Sequence, residues 1–167
     1  MSRLEAKKIA KTFKKRLVVD DVSFSVDSGQ VIGLLGPNGA GKTTSFYMVV
    51  GIVSPDTGSV LLEDNDITAM PMYQRARTGL SYLPQEPSIF RKLSVEDNIS
   101  LSFEALGIEG SLRKEKVGHL IEEFGLQGKE KLMGFSLSGG ERRRVEIARS
   151  LASSPKFVLL DEPFAGI

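Results

Sequence analysis

Gly36-Pro37-Asn38-Gly39-Ala40-Gly41-Lys42-Thr43 is the stretch that decides how the 167-residue chain is read. It has the spacing G-x-x-x-x-G-K-[ST], which places glycines where backbone N–H groups must turn inward around a phosphate without a side chain in the way. An apolar run, Val31 to Leu35, leads into it, and a helix from about Lys42 to Val53 is predicted to follow. Such a helix would aim the positive end of its dipole at the same anion. In this arrangement Lys42 bridges the β- and γ-phosphates of a nucleoside triphosphate. The Thr43 hydroxyl holds Mg²⁺, and Thr44 reaches the α-phosphate.

Outward from this loop the pattern is mixed α/β. Leu4 to Ala10 and Leu17 to Val26 read as short strands around the basic turn Lys14-Lys15-Arg16. Val31 to Leu35 is a continuous apolar run and is expected to be a strand buried on both faces. Pro55-Asp56-Thr57-Gly58 is the expected stop of the first helix. Ser59 to Leu62 and Gly79 to Leu83 are further strands. The middle of the chain turns helical. Ser94 with Asp97 resembles a capping box for a helix running to about Leu106. Gly107 and Gly110 break that helix, and Ser111 is expected to cap the next. There Val117, Leu120, Ile121 and Phe124 recur at helical spacing. A third helix should begin at Ser138-Gly139-Gly140 and end near Pro155, with Val145, Ala148 and Leu151 or Ala152 inward. Residues 1–87 and 153–167 would then form an α/β core around a helical insertion at 88–152.

Phe157-Val158-Leu159-Leu160-Asp161-Glu162 is an apolar strand ending in two acids. Asp161 would steer Mg²⁺ through water, and Glu162 would act on the attacking water as general base. By itself this pattern is weak, because strands often end in exposed acids. Beside a phosphate loop it gains meaning, since α/β sheets bind ligands at the carboxyl ends of their strands. Leu137-Ser138-Gly139-Gly140-Glu141 is a second potential anion-binding helix start, and spacing alone does not distinguish it from an ordinary N-cap.

Composition narrows the function classes. Lys and Arg total 22 against 21 Asp and Glu, a net charge of +1, so no direct contact with nucleic acid is expected. The chain has no Cys, and its one His, His119, rules out a two-His metal site. No apolar run approaches the ~20 residues of a membrane-spanning helix, and the polar start MSRLEAKKIAKTFKKR is no signal peptide. A soluble, cytoplasmic protein is expected. The basic run Lys7 to Arg16 reads as a solvated hairpin, and Arg142 to Arg144 as the exposed face of their helix.

Taken in order, the phosphate loop, Gln85, LSGGE and FVLLDE resemble the ATPase domain of ABC proteins over nearly the whole chain. The resemblance implies a P-loop NTPase core with an N-terminal antiparallel β subdomain and an inserted helical subdomain. It implies ATP and Mg²⁺, and a head-to-tail homodimer in which Ser138, Gly139, Gly140 and Glu141 act in trans on the partner's nucleotide. Gln85 matches the Q-loop, near the metal, and Phe13 the adenine-stacking aromatic. The wording of GLLGPNGAGKTTSFYMVVGIV and IFRKLSVEDN is similar to the branch serving lipopolysaccharide export in Gram-negative bacteria. By that likeness Phe90 and Arg91 border a groove for an integral-membrane transporter subunit, which would hold the ATPase at the inner membrane. The family's pattern runs on to a D-loop Asp and a switch His. The chain stops at Gly166-Ile167 before either, so it is read as cut short, and His119 sits on the wrong helix to replace that His. A nucleotide-binding fragment without turnover, and an ABC-type ATPase acting on nucleic acid, are the alternative readings.

Overall fold

In the computed structural model, residues 2–162 are described; Pro163 to Ile167, the end of the FVLLDEPFAGI stretch, lie outside them. The chain forms two compact units, residues 1–80 and 81–167.

The first unit is built on a four-stranded sheet in the order β2-β1-β3-β4. Strands β1 (Arg3–Phe13), β2 (Arg16–Asp27), β3 (Thr57–Leu62) and β4 (Asn65–Asp66) pair antiparallel throughout. Lys14 and Lys15 close the β1–β2 hairpin at φ 46° and 68°, the twist a two-residue hairpin loop requires. Alternation along β1 is interrupted once. Leu4 and Ala6 are buried, but the next buried apolar residue is Ile9, so inward parity changes between them. The register shift between Ala6 and Ile9 accounts for this, with Lys8 at φ 48° and its N–H donating to Ser23 Oγ at 2.8 Å.

Helix α1 (Lys42–Val50) lies against β1 and β2, with Met48, Val49 and Val50 fully buried. It ends three residues earlier than its sequence pattern suggests. Gly51 takes the left-handed conformation (φ 85°), and the N–H groups of Gly51, Ile52 and Val53 all point to the Tyr47 carbonyl. The stop is therefore Gly51 and not Pro55-Asp56-Thr57-Gly58, where Thr57 already opens β3. A six-residue helix, α2 (Met72–Arg77), completes the unit and is too short to show a period.

The predicted strand at Val31 to Leu35 does not form. Among the described residues no strand pairs with it, and Val31 and Leu35 are 99% and 92% exposed. Apolarity makes a run suitable for a buried strand, but only ladder partners on both sides make it one.

In the second unit β5 (Leu80–Leu83) and β6 (Phe157–Leu160) form a two-stranded sheet, and the Asp161 N–H donates to the Leu83 carbonyl at 3.1 Å. Helices α3 (Val95–Ala105), α4 (Gly110–Glu123) and α5 (Gly139–Leu151) enclose an apolar cluster. It takes in Val95, Ile99 and Phe103, then Val117, Leu120 and Ile121, then Val145, Ala148 and Ala152, the stripes expected from the periodicity. Ser94 caps α3 through the Asp97 N–H. Ser111 does not cap α4, which starts one residue earlier at Gly110 without a side-chain cap.

Asn98, 0% exposed, fastens the loop before α3. Its Oδ1 accepts from the Phe90 N–H at 2.9 Å, and its Nδ2 donates to the carbonyls of Phe90, Leu93 and Ser94. Asn98→Leu, similar in volume, leaves these groups unpaired. It is expected to lower the unfolding free energy by about 2–4 kcal/mol, read as a shift in the urea midpoint at unchanged slope.

Candidate functional site

In the first unit the site is the loop from Gly36 to Thr44. Gly39 and Gly41 adopt φ 80° and 85°, which side-chain-bearing residues take up only with strain. At Gly41 the requirement is doubled, because a Cβ there would lie 2.5 Å from the Val18 carbonyl oxygen and 2.9 Å from Val19. Gly41 is thus wedged against β2, and α1 starts from it. Pro37, Asn38 and Gly39 lead to Ala40, whose N–H closes a turn on the Pro37 carbonyl at 3.2 Å. Lys42 folds back across the loop, its Nζ 2.7 Å from the Gly36 carbonyl and 2.9 Å from that of Pro37. Its ammonium therefore sits over the concave side of the turn. Thr43 and Thr44 are half-buried in the first turn of α1, whose acid-free start leaves its dipole uncompensated. Phe13, at the end of β1, is 44% exposed with Lys11 Nζ 5.6 Å from its ring centroid, so it is not a core aromatic.

The second unit gathers the remaining candidates in three places. Gln85 follows β5, and its amide Nε2 donates to the Glu162 carboxylate at 2.8 Å. Glu162 is exposed and has φ 44°. Asp161, immediately before it, is buried and accepts from the Tyr82 hydroxyl at 3.3 Å. Gln85, Asp161 and Glu162 thus stand together at the ends of β5 and β6, an oxygen-rich donor set of the kind hard cations prefer. Among the described residues no group of three or more His, Cys, Asp or Glu forms a protein-only metal cage.

At the start of α5, Ser138 and Glu141 form a reciprocal capping box. The Glu141 N–H donates to Ser138 Oγ at 3.3 Å and the Ser138 N–H to Glu141 Oε2 at 2.7 Å. Lys129 pairs with the other carboxylate oxygen. Nothing lies within 4 Å of a Cβ built on Gly139 or Gly140, and neither has a positive φ. The fold itself does not require glycine at either position.

Phe90 and Arg91 lie on the loop between β5 and α3. The Phe90 ring is 51% exposed, with the Arg149 guanidinium 4.9 Å from its centroid, and Arg91 is exposed. Sequence reasoning missed what holds this loop. Glu146, buried on α5, accepts from the N–H groups of Ser88 and Ile89 at 2.7 and 3.1 Å. Arg149 donates to the Ser88 carbonyl and hydroxyl, and Arg143 to the Pro84 carbonyl. Arg143 is accordingly half-buried, as is Arg142, so of the exposed face expected for Arg142 to Arg144 only Arg144 is exposed. Burial pushes the Arg149 guanidinium below its ordinary value, and the neighbouring Glu146 opposes this. The available signal was a charged pair flanking the apolar stripe Val145–Ala148–Ala152 by one residue.

The chain matches the family described as ABC transporter over residues 19–165. It is 56% identical to the lipopolysaccharide export system ATP-binding protein LptB of Escherichia coli K12, over all of this chain and 70% of that protein. It is 57% identical to LptB of Acidithiobacillus ferridurans, over 98% of this chain and 68% of that one. Among solved structures it is similar to the ADP conformation of MJ1267, an ATP-binding cassette of an ABC transporter. That likeness has a TM-score of 0.86 and 31% identity, over all of this chain and 71% of that one.

The capping box makes a pH-dependent contribution. Hydrogen bonds from Lys129 and then from Ser138 hold the Glu141 carboxyl down at about 2, from an ordinary 4.5. A depressed carboxyl stabilises the fold fully above its unfolded value, and the effect is lost as pH falls towards the folded value. The melting-temperature difference between wild type and Glu141→Gln should thus be constant above about pH 5. It should shrink as pH falls below about 4.5 and disappear only below about 2, which thermal melts across that range would measure.

Proposed function

The chain belongs to the ABC transporter family, and from that premise we propose that it is the ATP-binding and ATP-hydrolysing subunit driving lipopolysaccharide export. The observation that carries the ATP reading is the phosphate loop. Two left-handed glycines, one of them wedged against β2, start a helix whose first side chain, Lys42, lies across the loop. ATP phosphates would meet inward N–H groups from Gly36 to Thr44, the helix dipole and the Lys42 ammonium, with Phe13 stacking on the adenine. The export reading rests on more than half of the residues being identical to the LptB proteins.

We assign the Thr43 hydroxyl of the first unit to a Mg²⁺ ion at the phosphate loop, and, taken by themselves, the Gln85 and Asp161 oxygens at the ends of β5 and β6 to a hard cation of the same kind. Their oxygen donors suit the ion, which when bound neutralises phosphate charge. Glu162 is the general base. Its exposed carboxylate is oriented by Gln85 and is free to accept a proton from water on its remaining lone pairs. Ser138 to Glu141 serve the nucleotide of a second copy in a head-to-tail homodimer. Two features support this: glycines that local packing does not demand, and a capping box that occupies the Ser138 and Glu141 amides. Among the described residues it leaves those of Gly139 and Gly140 without a protein acceptor.

Phe90 and Arg91 form the docking point for an integral-membrane subunit, on a loop stiffened from α3 by Asn98 and from α5 by Glu146 and Arg149. No helix among the described residues is long and apolar enough to cross a membrane. On the likeness to the LptB proteins we propose that the ATPase works at the cytoplasmic side of the inner membrane, held there by its partner.

ATP at a hundred times its dissociation constant should stabilise the wild-type chain by about 2.7 kcal/mol. In Lys42→Ala the ATP-dependent rise in melting temperature should disappear, and its survival would remove the phosphate loop as the site. Glu162→Gln keeps an acceptor for Gln85. With membrane partners present, phosphate release should fall about 10²–10⁴-fold while ATP binding persists; ordinary turnover would rule Glu162 out as the base.

A further inference from the structure

Arg75, on α2, is the largest side chain buried to below 2% exposure among the described residues, and none of the phosphate-loop chemistry uses it. Among those residues no carboxylate forms an ion pair with it. Carbonyl oxygens surround it instead. Nη1 donates to Met48 and Val49 at 2.8 and 2.7 Å, Nε to Met70 at 2.7 Å, and Nη2 to Thr68 at 2.7 Å. A buried guanidinium is costly unless its nitrogens find acceptors, and charge-assisted bonds at these lengths reach all three of them.

The four acceptors fall into two groups. Met48 and Val49 belong to the last turn of α1, whose carbonyls have no partner within the helix. That turn has no basic residue of its own, so Arg75 supplies the cation that complements the negative end of the dipole. Thr68 and Met70 belong to the loop after β4, which is tied to the sheet. The Val60 N–H donates to Thr68 Oγ1 at 2.8 Å, and the Ile67 N–H to the Val60 carbonyl at 2.9 Å. The join is closely fitted, since a Cβ on Gly51 would lie 2.8 Å from Arg75 Nε and 3.0 Å from the Met70 oxygen.

We infer that Arg75 is a positioning residue for the phosphate loop, acting through α1. The helix has nine residues, so its ends are roughly 14 Å apart and Arg75 does not touch phosphate. Its effect is geometric. Residues 31–36, ahead of the loop, belong to no ladder among the described residues. The helix side therefore contributes to the placement of Gly41 to Thr44, through Gly41 against Val18 and Val19 at one end, the buried Met48 to Val50 against the sheet, and Arg75 at the other end. Releasing the far end lets α1 tilt, and amides that converge on a phosphate lose their focus with small displacements. Because the loop holds the β-phosphate, ATP and ADP should weaken together.

This inference rests on the loop being the ATP site, and the experiment separates the two. Dissociation constants for ATP and ADP are measured for wild type, Lys42→Ala, Arg75→Met and Arg75→Lys, each well below its melting temperature. If wild type and Lys42→Ala bind ATP equally, the site assignment fails. If wild type binds and Lys42→Ala does not, Arg75→Met is expected to raise both constants about tenfold or more. Arg75→Lys, which keeps the charge but loses the fork, should fall between. An anchor that is only structural would lower the melting temperature and leave both constants at wild-type values, which would overturn the inference. Should Arg75→Met not fold, Arg75→Lys decides alone. Weaker binding of both nucleotides supports positioning, and unchanged constants refute it.

Discussion

A buried backbone N–H or carbonyl must find a partner, and in this chain much of that requirement is met by a handful of polar side chains outside any ladder. Arg75 answers four carbonyls in the first unit. Asn98 and Glu146 answer both ends of the loop from Ser88 to Ser94 in the second. Each of these side chains is itself buried. Each therefore fixes geometry from inside the packing, where neither water nor a rotamer change offers the backbone an alternative partner.

The consequence for function is that irregular segments are held as firmly as regular ones. The loop carrying Phe90 and Arg91 has no secondary structure of its own, yet its backbone is pinned from α3 and α5 while the two side chains face solvent. The phosphate loop is likewise a run of turns whose shape comes from Gly39 and Gly41 and from the seat of Gly41 on β2. Such a division suits binding, with rigid main chain and accessible chemistry.

What could be read in advance follows the range of the interactions. The turn chemistry of Gly36 to Thr43 and the Ser94 cap of α3 were legible because each is closed within a few residues. The helical stripes through Val117, Leu120 and Val145 were legible because burial follows a fixed period. Pairing is a different matter. Val31 to Leu35 has the composition of a buried strand, but its state depends on a neighbour that no local pattern announces. The parity change between Ala6 and Ile9 is hidden for the same reason, since a bulge is defined against the partner strand. Glu146 reaches Ser88 across 58 positions, and Arg75 reaches Met48 across 27. A charged residue beside an apolar stripe shows only that its surroundings are mixed, not which distant amide or carbonyl it meets.

Because Arg75 is surrounded by carbonyl dipoles and sealed from water, mobile ions cannot enter to shield it. Surface pairs such as Lys129 with Glu141 lie within reach of the ion atmosphere, which at 0.15 M damps charges over about 8 Å. The starts of α1 and α5 therefore differ in how they respond to ionic strength. Rising salt erodes the ion pair that steadies the start of α5, while the anchor behind α1 keeps its strength. The same molecule then holds one helix start constant across ionic conditions and lets the other soften.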